Sequence, residues 1–282
     1  MKAGKILILI VLLLALAGVL FMRYKVLDAG ASIPAADEPA PTAAVRASEP
    51  KREDSVPAMP EASPPPTPEP TPDVSPLGDD WFGDAAFFGD SISVTLQRYC
   101  EQTGDLGDAL FLCEFSYSVR NAVTDYIPLW YQGQKYSSMD ILAATGSKKA
   151  FIMLGVNDIA LYGGVERTME CWKELVEGVR EKTPGVMFFI EACFPVYRTS
   201  EFEGRNNTLI DSYNEQLRQF CKDNNCVFVD IAKYFKDENN SLADEYCSDQ
   251  YVHVTYDATE VWVEQLRNVE NYSVNPRSID YD

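Results

Sequence analysis

From residue 78 onward, apolar runs of strand length alternate with segments whose apolar residues recur every three or four positions. The runs are AAFFGDS (85–91), ALFLCEFS (109–116), KAFIMLGVND (149–158), VMFFIEACFPV (186–196) and CVFVDIA (226–232). Each is apolar at consecutive rather than alternate positions, the pattern of strands buried on both faces in a parallel sheet. Between them, Met169, Trp172, Leu175 and Val179 predict one helix over 165–185, stopped by Pro184-Gly185. Leu209, Tyr213, Leu217 and Phe220 predict another over 207–225, and a last helix is expected near 256–271. Strand and helix in alternation make residues 78–275 a doubly wound α/β sandwich, with its chemistry at the carboxyl ends of the strands.

The pattern changes before residue 78. Residues 6–22, ILILIVLLLALAGVLFM, are apolar and uncharged, with Lys2 and Lys5 before them and Arg23 and Lys25 after. That length sits at the short edge of the roughly 17–25 residues that cross a bilayer. Residues 1–25 are therefore expected to be a signal-anchor crossing the membrane once. A cleaved signal peptide, releasing a secreted protein, is the competing reading, because small residues follow in AGASIPAA. Residues 26–77 contain 13 of the 17 prolines and read as an extended linker. The folded part is then expected outside the membrane, at a bacterial cell surface.

Composition narrows the function. The chain has 282 residues, 43 acidic against 24 basic, and a net charge of −19, which repels nucleic acid. Seven cysteines form no CxxC pair, and one histidine does not complete the usual zinc patterns, so no metal is expected. Cys221 with Cys226, or one of them with Cys247, remain open as disulfide partners.

Three short stretches carry candidate chemistry. Ser91 follows Gly89 and Asp90 where a strand runs into a helix, and a helix amino terminus favours a developing alkoxide. A plain helix cap is the alternative there. Asn157, between Gly155 and Asp158 at the end of the third run, offers a side-chain donor for a tetrahedral oxyanion, or else an Asx-turn. His253 is the sole histidine, with Asp249 four residues upstream. A serine hydroxyl needs such a base, and the base needs a group to fix its tautomer.

FFGDSIS, GVND and DQYVH, in this order and at these places, resemble the SGNH hydrolases, also called GDSL esterases. The resemblance implies a flavodoxin-like three-layer α/β sandwich and serine-dependent ester hydrolysis without metal or organic cofactor. It implies Ser91 as nucleophile and first oxyanion donor, Asn157 as side-chain donor and His253 as base, with Gly89, Asp90, Gly155 and Asp158 supporting them. Two departures stand out. The family spaces its acid and base as Asp-x-x-His, but that acid position is Gln250, so Asp249 must be brought round by a bulge. Asp244, Asp257 and a Ser-His dyad are the substitutes. The family's second oxyanion glycine is also missing, with Phe115 or Ser116 in its place, and Ser116 is taken as the donor. The expected activity is removal of acyl groups, acetyl foremost, from a surface carbohydrate or related ester. An O-acetyltransferase working with a membrane O-acyltransferase partner, or an inactive binding module, are the other readings. Tyr126, Trp130 and Tyr131 are a candidate sugar platform, or simply packing residues.

Overall fold

The computed structural model of the chain describes residues 73–281. The expected membrane segment, and the Pro-rich stretch up to residue 72, lie outside the described residues. Among the described residues, no helix is long and apolar enough to cross a membrane. The element order begins with α1 (Asp79–Phe82), β1 (Ala85–Gly89), α2 (Ser91–Thr103), β2 (Leu110–Cys113) and α3 (Val119–Thr124). A hairpin of β3 (Leu129–Tyr131) and β4 (Gln134–Tyr136) follows, then α4 (Ser138–Thr145), β5 (Lys149–Met153), α5 (Val156–Leu161) and α6 (Gly164–Lys182). Next come β6 (Met187–Glu191), α7 (Asn207–Asp223), β7 (Val227–Val229) and α8 (Tyr256–Arg267).

Five strands form one sheet in the order β2-β1-β5-β6-β7, and every pairing is parallel. With the separate hairpin set aside, this is the flavodoxin-like order, in which the chain reverses direction between β1 and β5. Connections leave these two strands toward opposite sides, which opens a crevice above their carboxyl ends. Those ends are Gly89 and Met153, immediately before Asp90-Ser91 and Gly155-Val156-Asn157.

Consecutive apolar positions supply both faces of the sheet. On one, Phe111, Phe87, Phe151 and Phe189 stand in register and stack, with ring centroids 5.1, 4.7 and 4.6 Å apart. Trp81 meets Phe151 and Phe189 edge-on, and α2 and α8 pack together over this side, where Trp262 is fully buried. Each such buried ring contributes roughly 1.5–3 kcal/mol. On the other face, α6 packs against α3, α4, α5 and α7, and its Leu175 and Val179 converge with Phe88 and Ile152.

Several boundaries differ from those the pattern predicts. The run 186–196 is buried except for half-buried Met187, but only 187–191 are strand. Beyond Glu191 the backbone bonds to side chains of α7 instead: Cys193 N–H donates to Asn214 Oδ1 at 2.8 Å and Val196 N–H to Asn207 Oδ1 at 2.7 Å. The last helix stops at Arg267, and a 3₁₀ turn at Val269–Asn271 follows. The hairpin, turning through left-handed Gln132 and Gly133, has no counterpart in the sequence reading. At the linker end, Leu77 is buried and Arg277 donates to the carbonyls of Ser75 and Pro76 at 2.6 and 3.0 Å, so residues 75–77 pack with the folded part. All seven cysteines are free thiols.

Candidate active site

Ser91 stands where β1 passes directly into α2. The turn is sharp because residue 89 lacks a side chain: a Cβ there would lie 1.9 Å from Ser93 Oγ. Asp90 caps the helix, accepting from Ile92 N–H at 2.9 Å through one oxygen and from Asn157 Nδ2 at 3.1 Å through the other. It is 1 % exposed, and burial pushes its pKa up to about 7 against the pull of the Ile92 N–H. Ser91, one residue on, is the first of the helix, so its N–H has no intrahelical acceptor.

The Asn157 segment is seated from below. Gly155 adopts φ 140°, and a Cβ would fall 2.3 Å from the Tyr213 ring. The Tyr213 hydroxyl donates to the Leu154 carbonyl at 2.8 Å and accepts from Trp172 Nε1 at 2.6 Å, which explains why the ring must lie so close. Asn157 Nδ2 donates to Asp90 Oδ2 and, at 3.0 Å, to the Tyr117 carbonyl. Both amide protons therefore have acceptors inside the protein. Asp158 is fully buried and accepts from the N–H groups of Val119 and Arg120, each at 3.0 Å. Burial raises its pKa to about 6, while those two donors pull the other way. The Asp158 bridge fixes the segment after β2, in which Ser116 has φ 57°. A left-handed serine stands where the resemblance expects a glycine, at a cost of roughly 1–2 kcal/mol. Phe115 beside it is 55 % exposed.

His253 lies on an irregular loop pinched by an antiparallel bridge between Cys247 and Val254. Gln250 takes φ 57°, and this left-handed residue absorbs the extra position between acid and base. Asp249 Oδ1 then accepts from the N–H groups of Tyr251, Val252 and His253 at 2.8, 3.2 and 3.3 Å. Its Oδ2 meets His253 Nδ1 at 2.5 Å, and His253 Nε2 lies 3.0 Å from Ser91 Oγ. Burial pushes the Asp249 carboxyl up, but the His253 ring and the backbone donors outweigh it and hold the pKa below the ordinary value. Asp244 is committed elsewhere, in a two-pronged pair with Arg198 at 2.6 and 3.0 Å. Asp257 lies in the first turn of α8.

Ser91, Ser116, Asn157 and His253 line one open cleft of about 390 Å³. Val156, Ala160 and Leu161 give it an apolar wall, and Phe115, Phe202 and Tyr251 stand at its mouth. Tyr126, Trp130 and Tyr131 do not line it; Tyr126 borders a separate cleft with Arg120 and Tyr162. Among the described residues, no cluster of three metal-ligating side chains occurs. Phe202 and Arg205, which also line the cleft, carried no signal in the sequence, because the segment EFEGR has no periodicity or motif; Tyr251, a third lining residue, lies within DQYVH but was not singled out there.

Residues 87–260, more than half of the chain, match the model of the GDSL-like lipase/acylhydrolase family. No curated protein sequence matches the chain. Among solved structures, the fold is similar to a Streptococcus pneumoniae protein described as a platelet activating factor, with a TM-score of 0.52, 18% identity, and 65% of this chain and 81% of that one covered. It is similar to the same degree to a Bacteroides fragilis protein described as an acylhydrolase, with a TM-score of 0.52, 17% identity and coverages of 64% and 83%.

Proposed function

This chain belongs to the GDSL-like lipase/acylhydrolase family, and from that premise we propose that it is an extracytoplasmic serine esterase that removes short acyl groups, acetyl foremost, from a surface carbohydrate. The observation that carries the proposal is the unbroken line from Asp249 through His253 to Ser91, with hydrogen bonds of 2.5 and 3.0 Å. In that line Ser91 is the nucleophile, His253 the base and Asp249 the group that holds the Nδ1 proton and the ring's orientation.

The chemistry follows from the geometry. Ser91 Oγ attacks the ester carbonyl carbon as His253 Nε2 takes its proton. The resulting oxyanion is held by the N–H of Ser91 and the N–H of Ser116. Asn157 contributes by sharing one amide proton between the oxyanion and its present acceptor, as three-centre bonds do. Collapse expels the alcohol, which leaves with the proton from His253. Water then gives a proton to His253 and adds to the acyl-enzyme, and the acid departs as Ser91 recovers its hydrogen. An anchor at residues 1–25 and a linker from residue 26 up to the packed residues 75–77 are part of this proposal, and the apolar run at 6–22 supports the external location. The modest cleft supports a short acyl group.

The test is release of acid from 4-nitrophenyl acetate, butyrate and octanoate and from an acetylated polysaccharide, with a free sugar acceptor present. Release onto water, fastest for acetate and absent in Ser91→Ala, supports the proposal. Acetyl appearing on the sugar, or no release from any ester, contradicts it.

A further inference from the structure

Arg205 occupies an unusual position in the wall of the Ser91 cleft. It is 5 % exposed, yet among the described residues no carboxylate pairs with it. Arg167, Arg198, Arg218, Arg267 and Arg277 each meet an aspartate or glutamate within 4 Å, and Arg98, Arg120 and Arg180, which meet none among the described residues, are all more accessible than Arg205. Of the Arg205 nitrogens, Nη2 donates to the Ser200 carbonyl at 3.1 Å, and Nε is sealed from solvent with no acceptor. Partial compensation comes from two rings: the guanidinium carbon lies 4.3 Å from the centroid of Tyr251 and 5.2 Å from that of Phe202. Such contacts offset only part of the cost of burying a charge.

The segment that carries the side chain is also held in place. Phe202 and Arg205 exchange backbone hydrogen bonds at 2.8 and 2.9 Å, closing a tight bridge. The Tyr251 carbonyl accepts from Tyr197 N–H at 2.8 Å and from Ser200 Oγ at 2.9 Å, which locks the Arg205 segment to the loop that carries His253. Among the described residues, no acidic side chain lines the cleft, in a chain whose net charge is −19.

We infer that Arg205 binds an anionic group of the substrate, and that the ester this enzyme takes carries a carboxylate, as an acylated acidic sugar does. A buried guanidinium without a counter-ion, in the wall of the cleft that holds Ser91, is completed by an anion that enters that cleft and meets the guanidinium edge lining it. The inference rests on the esterase reading above and adds the substrate class to it.

The experiment compares matched ligands on the full chain. Binding of 3-acetamidobenzoate and of its neutral counterpart 3-acetamidobenzamide is measured by calorimetry, which needs no turnover. The expected result is at least tenfold tighter binding of the carboxylate, a ratio near one in Arg205→Met, and an intermediate ratio in Arg205→Lys. Hydrolysis of 3-acetoxybenzoate and 3-acetoxybenzamide should show the same preference, appearing in KM rather than kcat. Equal or absent binding of the two amides by the wild-type chain overturns the inference, as does an Arg205→Met protein that keeps the ratio. The wild-type ratio decides the matter even where a variant fails to fold. A chain that prefers the carboxylate in binding but cleaves neither ester contradicts the esterase reading alone.

Discussion

The two loops that meet at the cleft are built in opposite ways. The Gly89-Asp90-Ser91 turn is an extension of the core: Asp90 is sealed, Ser93 fills the space above Gly89, and the Asn157 segment braces it from the next strand. The Asp249–His253 loop belongs to no strand or helix. Its acid and base side chains are 34 % and 37 % exposed, and Asp249 holds the loop by gathering three backbone N–H groups on one oxygen. Ser91, the proposed nucleophile, is therefore placed by the fold, and His253, the proposed base, by a local turn. Damage to the first should appear in stability, and damage to the second in activity.

The largest expected effect tests the second half of that contrast. Asp249→Asn should lower kcat by about 10⁴-fold, the scale of losing the orienting carboxylate in a serine triad. Its thermal midpoint should barely move, because the amide oxygen of asparagine still accepts the three backbone N–H groups that hold the loop. A matching fall in both would show that this loop is coupled to the core after all. Next, Asn157→Ala should cost about 10²–10³ in kcat, the scale of one oxyanion donor. It should also destabilise, since Asp90 loses a partner; a variant that is destabilised but fully active would remove Asn157 from the chemistry.

A core-side break comes third. Gly155→Ala drives a methyl into the Tyr213 ring and forces φ 140° on a side chain, so a loss of at least about 1–3 kcal/mol in urea unfolding is expected. The smallest change runs the other way. Ser116→Gly relieves a left-handed serine and should raise stability by up to about 1 kcal/mol, while an unchanged or lower midpoint would mean that its φ costs nothing.

pH sharpens the contrast further. Burial raises Glu191 to about 8 and Asp90 to about 7, and Glu191 keeps only the Trp262 N–H as partner at 2.8 Å. Because both values lie above those of the unfolded chain, the folded state holds more protons between pH 4.5 and 8, and stability falls as pH rises through that window. Unfolding midpoints from pH 5.5 to 9 should decline, and Glu191→Gln should flatten the decline. Parallel slopes for the two proteins would show that Glu191 does not titrate there.

The sheet was readable because strands buried on both faces leave continuous apolar runs, and Ser91, Asn157 and His253 stood out because polar residues interrupted those runs or because the residue type was unique. What could not be read depends on backbone dihedrals and distant side chains. Nothing in DQYVH shows that Gln250 turns left-handed, and nothing in CEFSYSV shows that Ser116 rather than Phe115 takes the glycine conformation. The commitment of both Asn157 protons depends on Asp90 and the Tyr117 carbonyl, dozens of residues away in the chain. Arg205 was invisible for the same reason: burial without a counter-ion is a property of the folded surroundings, not of the residue.

The central claim is that Ser91 is made nucleophilic by His253. Intact-mass and peptide mapping after treatment with a fluorophosphonate test it most directly. One adduct per chain, on Ser91, abolished in Ser91→Ala and slowed by orders of magnitude in His253→Ala, is the predicted result. Absence of labelling in the wild type, or equal labelling of Ser91 without the imidazole, would contradict it.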